Sequence, residues 1–236
     1  MPLFYSTQIT EQTIELDAEE SRHLSKVLRL TDGDKVKVVD GKGNSYDCTV
    51  LEAHKKNSLL RIDYKTQQHE TFGIHIAAAP PKNLNRWEWF LEKATEIGID
   101  RISPIRSFHS ERKVLKNERQ EKILISAMKQ SKKADLPLLD ELTPFNSWLK
   151  AHSDKSDDLE KYIAHCYNQM PKMKLSSIHP KGKKALILIG PEGDFSKEEV
   201  LAATAAGFKP VSLSKSRLRT ETAAIVACNT IHFINA

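Results

Sequence analysis

The fold is decided by the stretch ALILIGPEGDFS, residues 185–196. Its first five residues are all apolar, which is typical of a central strand in a parallel sheet. The following turn contains Gly190 and Gly193, which allow close backbone approach, and Ser196 with Glu199 predicts a capping box that opens a helix. A strand, a glycine-containing turn and a helix in this order indicate an α/β domain. Such domains bind ligands beyond the carboxyl ends of their strands.

The same alternation extends on both sides of this stretch. We predict strands at 73–79, 101–105, 162–166 and 211–213, and helices at 83–97, 117–133, 196–206 and 220–231. Alternating strands and helices indicate a parallel sheet. We therefore expect an α/β domain over residues 71–236.

The first 70 residues have a different pattern. Short β-prone runs lie at 36–40, 46–51 and 59–64, with a glycine-containing hairpin connection at 41–44, and a helix is predicted at 18–30. Several short strands with one helix predict a small β-barrel. Because the polar stretch 65–71 is a candidate linker, we divide the chain into a first domain at 1–70 and a second at 71–236.

Positive charge is concentrated in the second domain. The chain has 36 Lys and Arg against 31 Asp and Glu, a net charge of +5. Residues 1–70 hold 10 basic and 12 acidic side chains, a net of −2, so residues 71–236 have a net of +7. Clustered positive charge suits a polyanion such as RNA. On charge alone, a solvated lysine-rich surface remains an equal alternative.

Several classes of protein are disfavoured by missing motifs. The sequence contains no GxGxxG, P-loop, HExxH or GxSxG motif, and Cys48, Cys166 and Cys228 are too far apart for a CxxC pair. We therefore expect no metal site. No apolar run approaches the ~18 residues of a membrane span, and the amino terminus lacks a signal-peptide pattern. These features predict a soluble, cytoplasmic protein that does not bind membranes.

A second stretch, LSKSRLRTETAA at 213–224, repeats the arrangement of strand, loop and helix start. Together with IGPEGDFS at 189–196, it closely resembles the C-terminal signature of the RsmE family of 16S rRNA uridine-N3 methyltransferases, part of the SPOUT superfamily. Other segments resemble the same family in the same order: 23–30 with Gly33-Asp34, 93–98, 110–112, and 130–131 with 136–137. The resemblance thus spans nearly the whole chain.

The resemblance implies a fold, a cofactor and an assembly. The fold is a small N-terminal PUA-like β-barrel joined to a SPOUT-type parallel sheet with a C-terminal trefoil knot, and the assembly is a homodimer. The cofactor is S-adenosylmethionine, in a site whose apolar side chains and backbone groups suit an adenine. The matching positions are Ile189, Gly190, Pro191, Gly193, Leu213, Ser214, Leu218, Arg219, Thr220 and Ala223.

The implied reaction methylates a uridine base of 16S rRNA, free or in the small ribosomal subunit. Uracil N3 must lose a proton, so a carboxylate base and a cation near the carbonyl oxygens are needed. Glu192 and Glu221 are candidate bases, and Arg219 and Arg112 are candidate cations; Glu221 could equally be a structural partner of Arg219. RNA contacts are expected at Arg22, His23, Lys26, Arg29, Arg112 and Lys132.

Two alternatives remain open at this point. One is a SPOUT-type methyltransferase that acts on tRNA or on another rRNA nucleotide, and the other is a non-catalytic RNA-binding protein. The chain also departs from the family pattern at two positions. Asp194 and Ser214 occupy positions where the family often has glycine. Glycine at position 214 would let the backbone approach the cofactor more closely.

Overall fold

The computed structural model describes residues 1–67, 71–153 and 158–236. The chain forms two compact units. The first comprises Met1–Glu70 and Ile125–Leu136, and the second comprises Thr71–Leu124 and Pro137–Ala236. The division at residue 70 did not anticipate that the segment Ile125–Leu136 packs within the first unit. There Met128 and Ala134 are buried against Val39 in a small apolar cluster.

The first unit is built on one six-stranded sheet. Its elements are β1 (Leu3–Tyr5), β2 (Gln8–Ile9), β3 (Thr13–Glu15), α1 (Ala18–Arg22), β4 (Lys35–Val39), β5 (Asn44–Glu52) and β6 (Leu59–Gln67). The strand order is β1-β4-β5-β6-β3-β2, and only the β1–β4 pair is parallel. The two outermost strands, β1 and β2, are not paired with each other in this order, so the small β-barrel that we predicted takes the form of a half-barrel.

Two sequence predictions for this unit need correction. The helix predicted at 18–30 begins as expected, because Asp17 caps it by accepting from the Glu20 amide. It is α-helical only to Arg22 and continues as a π-helical turn over His23–Val27, which buries Leu24 in the half-barrel core. The predicted linker is partly strand, because β6 extends to Gln67. Of the rest of that prediction, residues 68–70 lie outside the described residues, and Thr71 is in neither a helix nor a strand.

The second unit is an α/β structure. Its elements are β7 (Ile74–Ala78), α2 (Leu84–Ile97), β8 (Arg101–Arg106), α3 (Asn117–Gln130, shared with the first unit), β9 (Leu138–Leu139), β10 (Thr143–Pro144), α4 (Phe145–Ala151), β11 (Leu159–Ala164), β12 (Met173–Lys174), α5 (Leu175–Ile178), β13 (Lys184–Ile189), α6 (Lys197–Ala205), β14 (Lys209–Ser212) and α7 (Thr220–Asn235).

The sheet of this unit is parallel throughout its recorded pairings, as predicted. Its order is β10-β8-β7-β13-β11-β14-β12, with β9 beside β8. The apolar strand β13 is central, and Leu186 and Leu188 pack with Trp148 of α4 and Val200 of α6. Helix α7 packs against β7, β13 and α2. No helix in the described ranges is long and apolar enough to cross a membrane.

Candidate functional site: a cavity at the carboxyl edge of the parallel sheet

Three adjacent strands end side by side at one edge of the parallel sheet. Ala164, the last residue of β11, pairs with Ile189 at the end of β13 and with Val211 of β14. Because the strands are parallel, the loops that follow them emerge on the same edge. These loops and the start of α7 enclose a cavity of about 650 Å³.

Most of the predicted cofactor residues line this cavity. They are Ile189, Gly190, Pro191, Leu213, Ser214, Leu218, Arg219, Thr220 and Ala223. Glu192 lines it as well, whereas Gly193 does not. The two motifs, which are separate in the sequence, are therefore brought together. A hydrogen bond of 3.0 Å joins the Thr220 hydroxyl to the carbonyl of Gly190, 30 positions away.

The proline loop, residues 190–195, is a tight turn held from several sides. The Asp194 amide donates to the Pro191 carbonyl at 2.9 Å. A β-carbon on Gly190 would lie 3.0 Å from the Phe195 nitrogen, so a side chain here would have to displace the loop backbone. The carboxylate of Glu192 accepts from the Lys82 amide at 3.0 Å. These contacts fix the loop before any ligand is bound.

Gly193 has a different role from the one predicted. A β-carbon there would lie 2.9 Å from the β-carbon of His109. The missing side chain thus makes room for a neighbouring loop and does not open the cavity. His109 in turn lies with its Nδ1 atom 3.0 Å from the Asp194 carbonyl oxygen.

The backbone conformation and hydrogen bonds of Asp194 explain why aspartate is accommodated where the family often has glycine. Its φ of 66° lies in the left-handed region, which glycine adopts freely and aspartate adopts more readily than most residues. The aspartate adds two contacts that glycine lacks, accepting from the Cys166 amide at 2.7 Å and from the Phe195 amide at 2.8 Å. The side chain therefore ties the loop after β11 to the proline loop.

The serine loop, residues 213–219, is more exposed. Its turn is held by the Ser214 hydroxyl, which accepts from the Ser216 amide at 3.1 Å. Ser214 does not have a positive φ, so serine fits this backbone without strain. Arg219 is exposed and forms the N-terminal cap position of α7. In the described part of the chain, no side-chain hydrogen bond or ion pair holds its guanidinium, so this cation is available at the cavity.

Glu221 does not pair with Arg219. It is buried, and its Oε1 atom lies 3.7 Å from Nε of Arg86 on α2. Among the described residues its Oε2 atom has no hydrogen-bond partner. Since Glu221 is not among the residues that line the cavity, its position is that of a tie between α7 and α2. Sequence reasoning missed Arg86, because no pattern in the chain connects it with a residue 135 positions away.

Arg112 also has a structural position. Its Nε donates to the Pro81 carbonyl at 3.2 Å, and its Nη2 donates to the Lys82 carbonyl. Arg112 does not line the cavity. Arg112, which was predicted as a catalytic cation, therefore binds the segment 81–82. The Lys82 amide of this segment in turn donates to Glu192.

A third wall of the cavity was not predicted. It follows β11 and consists of Ala164, His165, Cys166, Asn168 and Lys172. His165 is buried, and burial followed by the charge of Lys172 lowers its pKa, so the ring is neutral at pH 7. The sequence predicted a strand at 162–166 in a parallel sheet. Only the order of the strands, which the sequence did not give, shows that this strand ends beside β13 at the cavity.

The predicted RNA-binding residues divide between the two units. Arg22, Lys26 and Arg29 are exposed and lie on or just after α1 and the π-helical turn of the first unit, with His23 half-buried among them. Lys132 is also exposed and belongs to the same unit. Arg112 belongs to the second unit. Within the described ranges, no group of three His, Cys, Asp or Glu side chains could hold a metal ion.

Comparison with known proteins decides the family. A model of the RNA methyltransferase domain matches residues 68–232, and a model of the RNA methyltransferase PUA domain matches residues 16–63. The chain belongs to this RNA methyltransferase family. The resemblance read from the two C-terminal motifs is thereby confirmed.

Individual relatives agree with this assignment. The ribosomal RNA small subunit methyltransferase E of Bacillus subtilis (strain 168) is 27% identical, over 97% of this chain and 95% of the relative. A crystal structure of a probable rRNA-methyltransferase from Porphyromonas gingivalis is 41% identical with a TM-score of 0.92, covering 100% of this chain and 98% of that one. The small subunit methyltransferase E of Neisseria gonorrhoeae, solved with S-adenosylmethionine bound, is 26% identical with a TM-score of 0.86 over 100% and 98%.

These similarities confirm the fold class of this RNA methyltransferase. It has a SPOUT-type parallel sheet and an N-terminal PUA-like β structure, here a half-barrel. The trefoil knot stays a prediction.

Proposed function

We propose that this RNA methyltransferase transfers the methyl group of S-adenosylmethionine to N3 of a uridine in 16S rRNA. The observation that carries the proposal is the cavity between the proline loop and the serine loop. It lies inside the matched methyltransferase domain and brings nearly all the motif residues together. A relative with the same fold binds S-adenosylmethionine, which supports this choice of cofactor.

The lining of the cavity suits this cofactor. Ile189, Leu213 and Leu218 offer apolar surface for an adenine ring, and the loop backbones offer N–H and C=O groups for its edge. When bound, S-adenosylmethionine supplies a methyl group already activated by its sulfonium. The reaction therefore places no demand on a metal ion, and we expect binding in the presence of a chelator.

The positions of the charged residues favour one assignment of roles. Glu192 is exposed and lines the cavity, whereas Glu221 is buried outside it. We therefore assign Glu192 to accept the N3 proton, in exchange for its present bond to the Lys82 amide. Arg219 stabilises the negative charge that develops on the uracil carbonyl oxygens. Arg112 and Glu221 hold the structure around them.

The target is tested by mass mapping of methylated nucleotides. The full-length protein is incubated with S-adenosylmethionine and, separately, with small ribosomal subunits, naked 16S rRNA and tRNA. We expect N3-methyluridine in 16S rRNA, as free RNA or within the subunit. Methylation of tRNA alone, or of another rRNA position, would support the first alternative. Binding of RNA without methyl transfer would support a non-catalytic protein, against which the cavity argues.

We also propose that the protein is a homodimer that pairs through α7. One face of this helix is buried within the unit by Ala224, Ala227 and Ile231. The other face is open and carries three apolar side chains: Ile225 and Val226 are half-buried, and Phe233 is 81% exposed. Such a face requires a cover. Light scattering of the full chain should give twice 26.7 kDa, and Val226→Lys should give the monomer. A wild-type monomer at micromolar concentration would contradict the dimer.

The remaining expectations follow from the same proposal. The first unit, with exposed Arg22, Lys26 and Arg29, binds the RNA, and the second unit holds the cofactor within a trefoil knot. The protein acts in the cytoplasm, where its ribosomal substrate is assembled.

A further inference from the structure

The loop after β8 presents an aromatic side chain to solvent. Phe108 is 77% exposed, and it lies between Ser107 and His109 in the loop 107–110. Single exposed apolar residues are ordinary on protein surfaces. Phe108 differs because hydrogen bonds hold its backbone in a turn that contacts a wall of the cavity.

Polar contacts fix the backbone on both sides of Phe108. Its own amide donates to the Glu199 carboxylate on α6 at 2.8 Å. The Ser107 amide donates to the Ser110 hydroxyl at 3.0 Å, and the Ser110 amide donates to the Ser107 carbonyl at 3.1 Å. The loop is therefore a closed turn whose backbone is anchored to α6.

The neighbouring His109 connects this turn to the cavity. Its ring lies against Phe108 edge to face, with centroids 5.0 Å apart and planes at 82°. Its Nδ1 atom lies 3.0 Å from the carbonyl oxygen of Asp194, and the absence of a side chain at Gly193 gives it room. Because Asp194 lines the cavity, Phe108 lies one residue away from a contact with the cavity wall.

The surroundings in sequence suit RNA. Arg106, Lys113 and Lys116 are exposed in the same stretch, which is rich in basic residues. Aromatic side chains interleaved with cations are the means by which proteins bind unpaired bases, because every base has a face that can stack. The nearby acids are already engaged. The Glu199 carboxylate accepts from the Phe108 and Ser196 amides, and Glu111 pairs with Lys82 at 2.8 Å.

The proposed reaction creates the need for such a surface. N3 lies on the Watson–Crick edge of uracil, so a target base must leave its pair and its stack before it enters a cavity. The target or its neighbour then loses its stacking partner. An exposed aromatic ring on a fixed turn next to the cavity can replace that partner.

We propose that Phe108, supported by His109, is a stacking platform for an unpaired RNA base beside the cofactor cavity. This inference rests on the proposed RNA methylation. It assigns Phe108 to RNA binding and leaves cofactor binding to the proline and serine loops.

The test uses a single-stranded RNA of about ten nucleotides, with 2-aminopurine beside one central uridine. Stacking of 2-aminopurine on Phe108 should quench its fluorescence. Relative to wild type, Phe108→Leu should bind this RNA about 5- to 150-fold more weakly and lose the quenching, because leucine retains apolar area but has no ring. Phe108→Tyr should retain both.

Two controls separate this inference from other causes. Trp89→Leu is also a change from an aromatic residue to leucine at an exposed position, on α2 of the same unit, and should change neither signal. Calorimetry should give Phe108→Leu the wild-type affinity for S-adenosylmethionine. Unchanged affinity and quenching in Phe108→Leu would overturn the platform. The platform and the proposed function can also fail separately. If Phe108→Leu alone loses RNA affinity and quenching, but the wild-type protein methylates no RNA, the platform is upheld and the proposed function is rejected.

Discussion

The two loops that face each other across the cavity are built in different ways. The proline loop is held by contacts from three directions: Lys82 binds Glu192, His109 binds the Asp194 carbonyl, and Thr220 binds the Gly190 carbonyl. The serine loop is held by the hydroxyls of Ser212 and Ser214, and Arg217 reaches the Glu192 carbonyl at 3.5 Å. Ser214, Arg217 and Arg219 are exposed. The first loop is a preformed wall, and the second presents side chains that a ligand can engage. Changes that displace the backbone of the first loop should therefore affect stability. Changes in the exposed side chains of the second loop, like a change of the proposed base Glu192, should affect turnover.

The largest effect is expected at Arg219, on the second loop. Arg219→Lys keeps the charge but loses the planar guanidinium, so transition-state stabilisation should fall by about 2–4 kcal/mol while fold and cofactor binding remain. Single-turnover methylation at saturating RNA measures this loss. A rate near wild type with weaker RNA binding would show that Arg219 positions RNA and has no role in the chemistry.

The next largest effect is expected at Gly190, on the first loop. Gly190→Ala places a β-carbon 3.0 Å from the Phe195 nitrogen, a backbone atom that cannot turn away. The free energy of unfolding should fall by about 1–3 kcal/mol. Ser214→Ala on the opposite loop is the matched control and should change it by less than about 0.5 kcal/mol. If urea unfolding gives the same loss of unfolding free energy for Gly190→Ala and Ser214→Ala, the proposed difference in rigidity between the two loops is wrong.

Asp194 allows the backbone and side-chain contributions to be separated. Asp194→Ala loses both hydrogen bonds and must hold a φ of 66° with a β-carbon, so we expect a cost of about 1–3 kcal/mol. Asp194→Gly loses the same bonds but holds that φ freely, so it should cost less. Thermal unfolding of both variants gives the comparison. A glycine variant less stable than the alanine variant would contradict this explanation of the departure from glycine.

The smallest effect is expected at Ser214. Because its φ is not positive, Ser214→Gly relieves no strain and only adds freedom to the unfolded chain. We expect a loss of stability of about 0.5–1 kcal/mol and an affinity for S-adenosylmethionine within about threefold of wild type. A gain in affinity of tenfold or more would show that the serine obstructs the cofactor.

The comparison also explains which features could be predicted from the sequence. Strand β13 and the capping box at Ser196 follow from local patterns. The cofactor positions on the two loops follow from the family resemblance, and the structure brings most of them to one cavity. The ion pair of Arg86 with Glu221 and the contact of His109 with the proline loop join residues far apart in the chain. No periodicity or cap reports such pairs, so the roles expected for Glu221 and Gly193 had to be revised.

The half-barrel and the π-helical turn show the same limit within the first unit. The alternation of apolar residues predicts strands but does not report whether the outermost strands meet. The burial of Leu24, which coincides with the π-helical turn, depends on packing against strands on either side of it in the sequence. The move of Ile125–Leu136 into the first unit is likewise a tertiary effect.

The most direct test of the cavity as the cofactor site is a calorimetric titration of the full-length protein with S-adenosylmethionine in the presence of a chelator. We predict saturable binding without a metal ion, weakened in Gly190→Ala by deformation of the proline loop and retained in Arg219→Lys. The absence of binding heat, binding only after addition of a divalent ion, or wild-type affinity in a folded Gly190→Ala protein would contradict this placement of the cofactor.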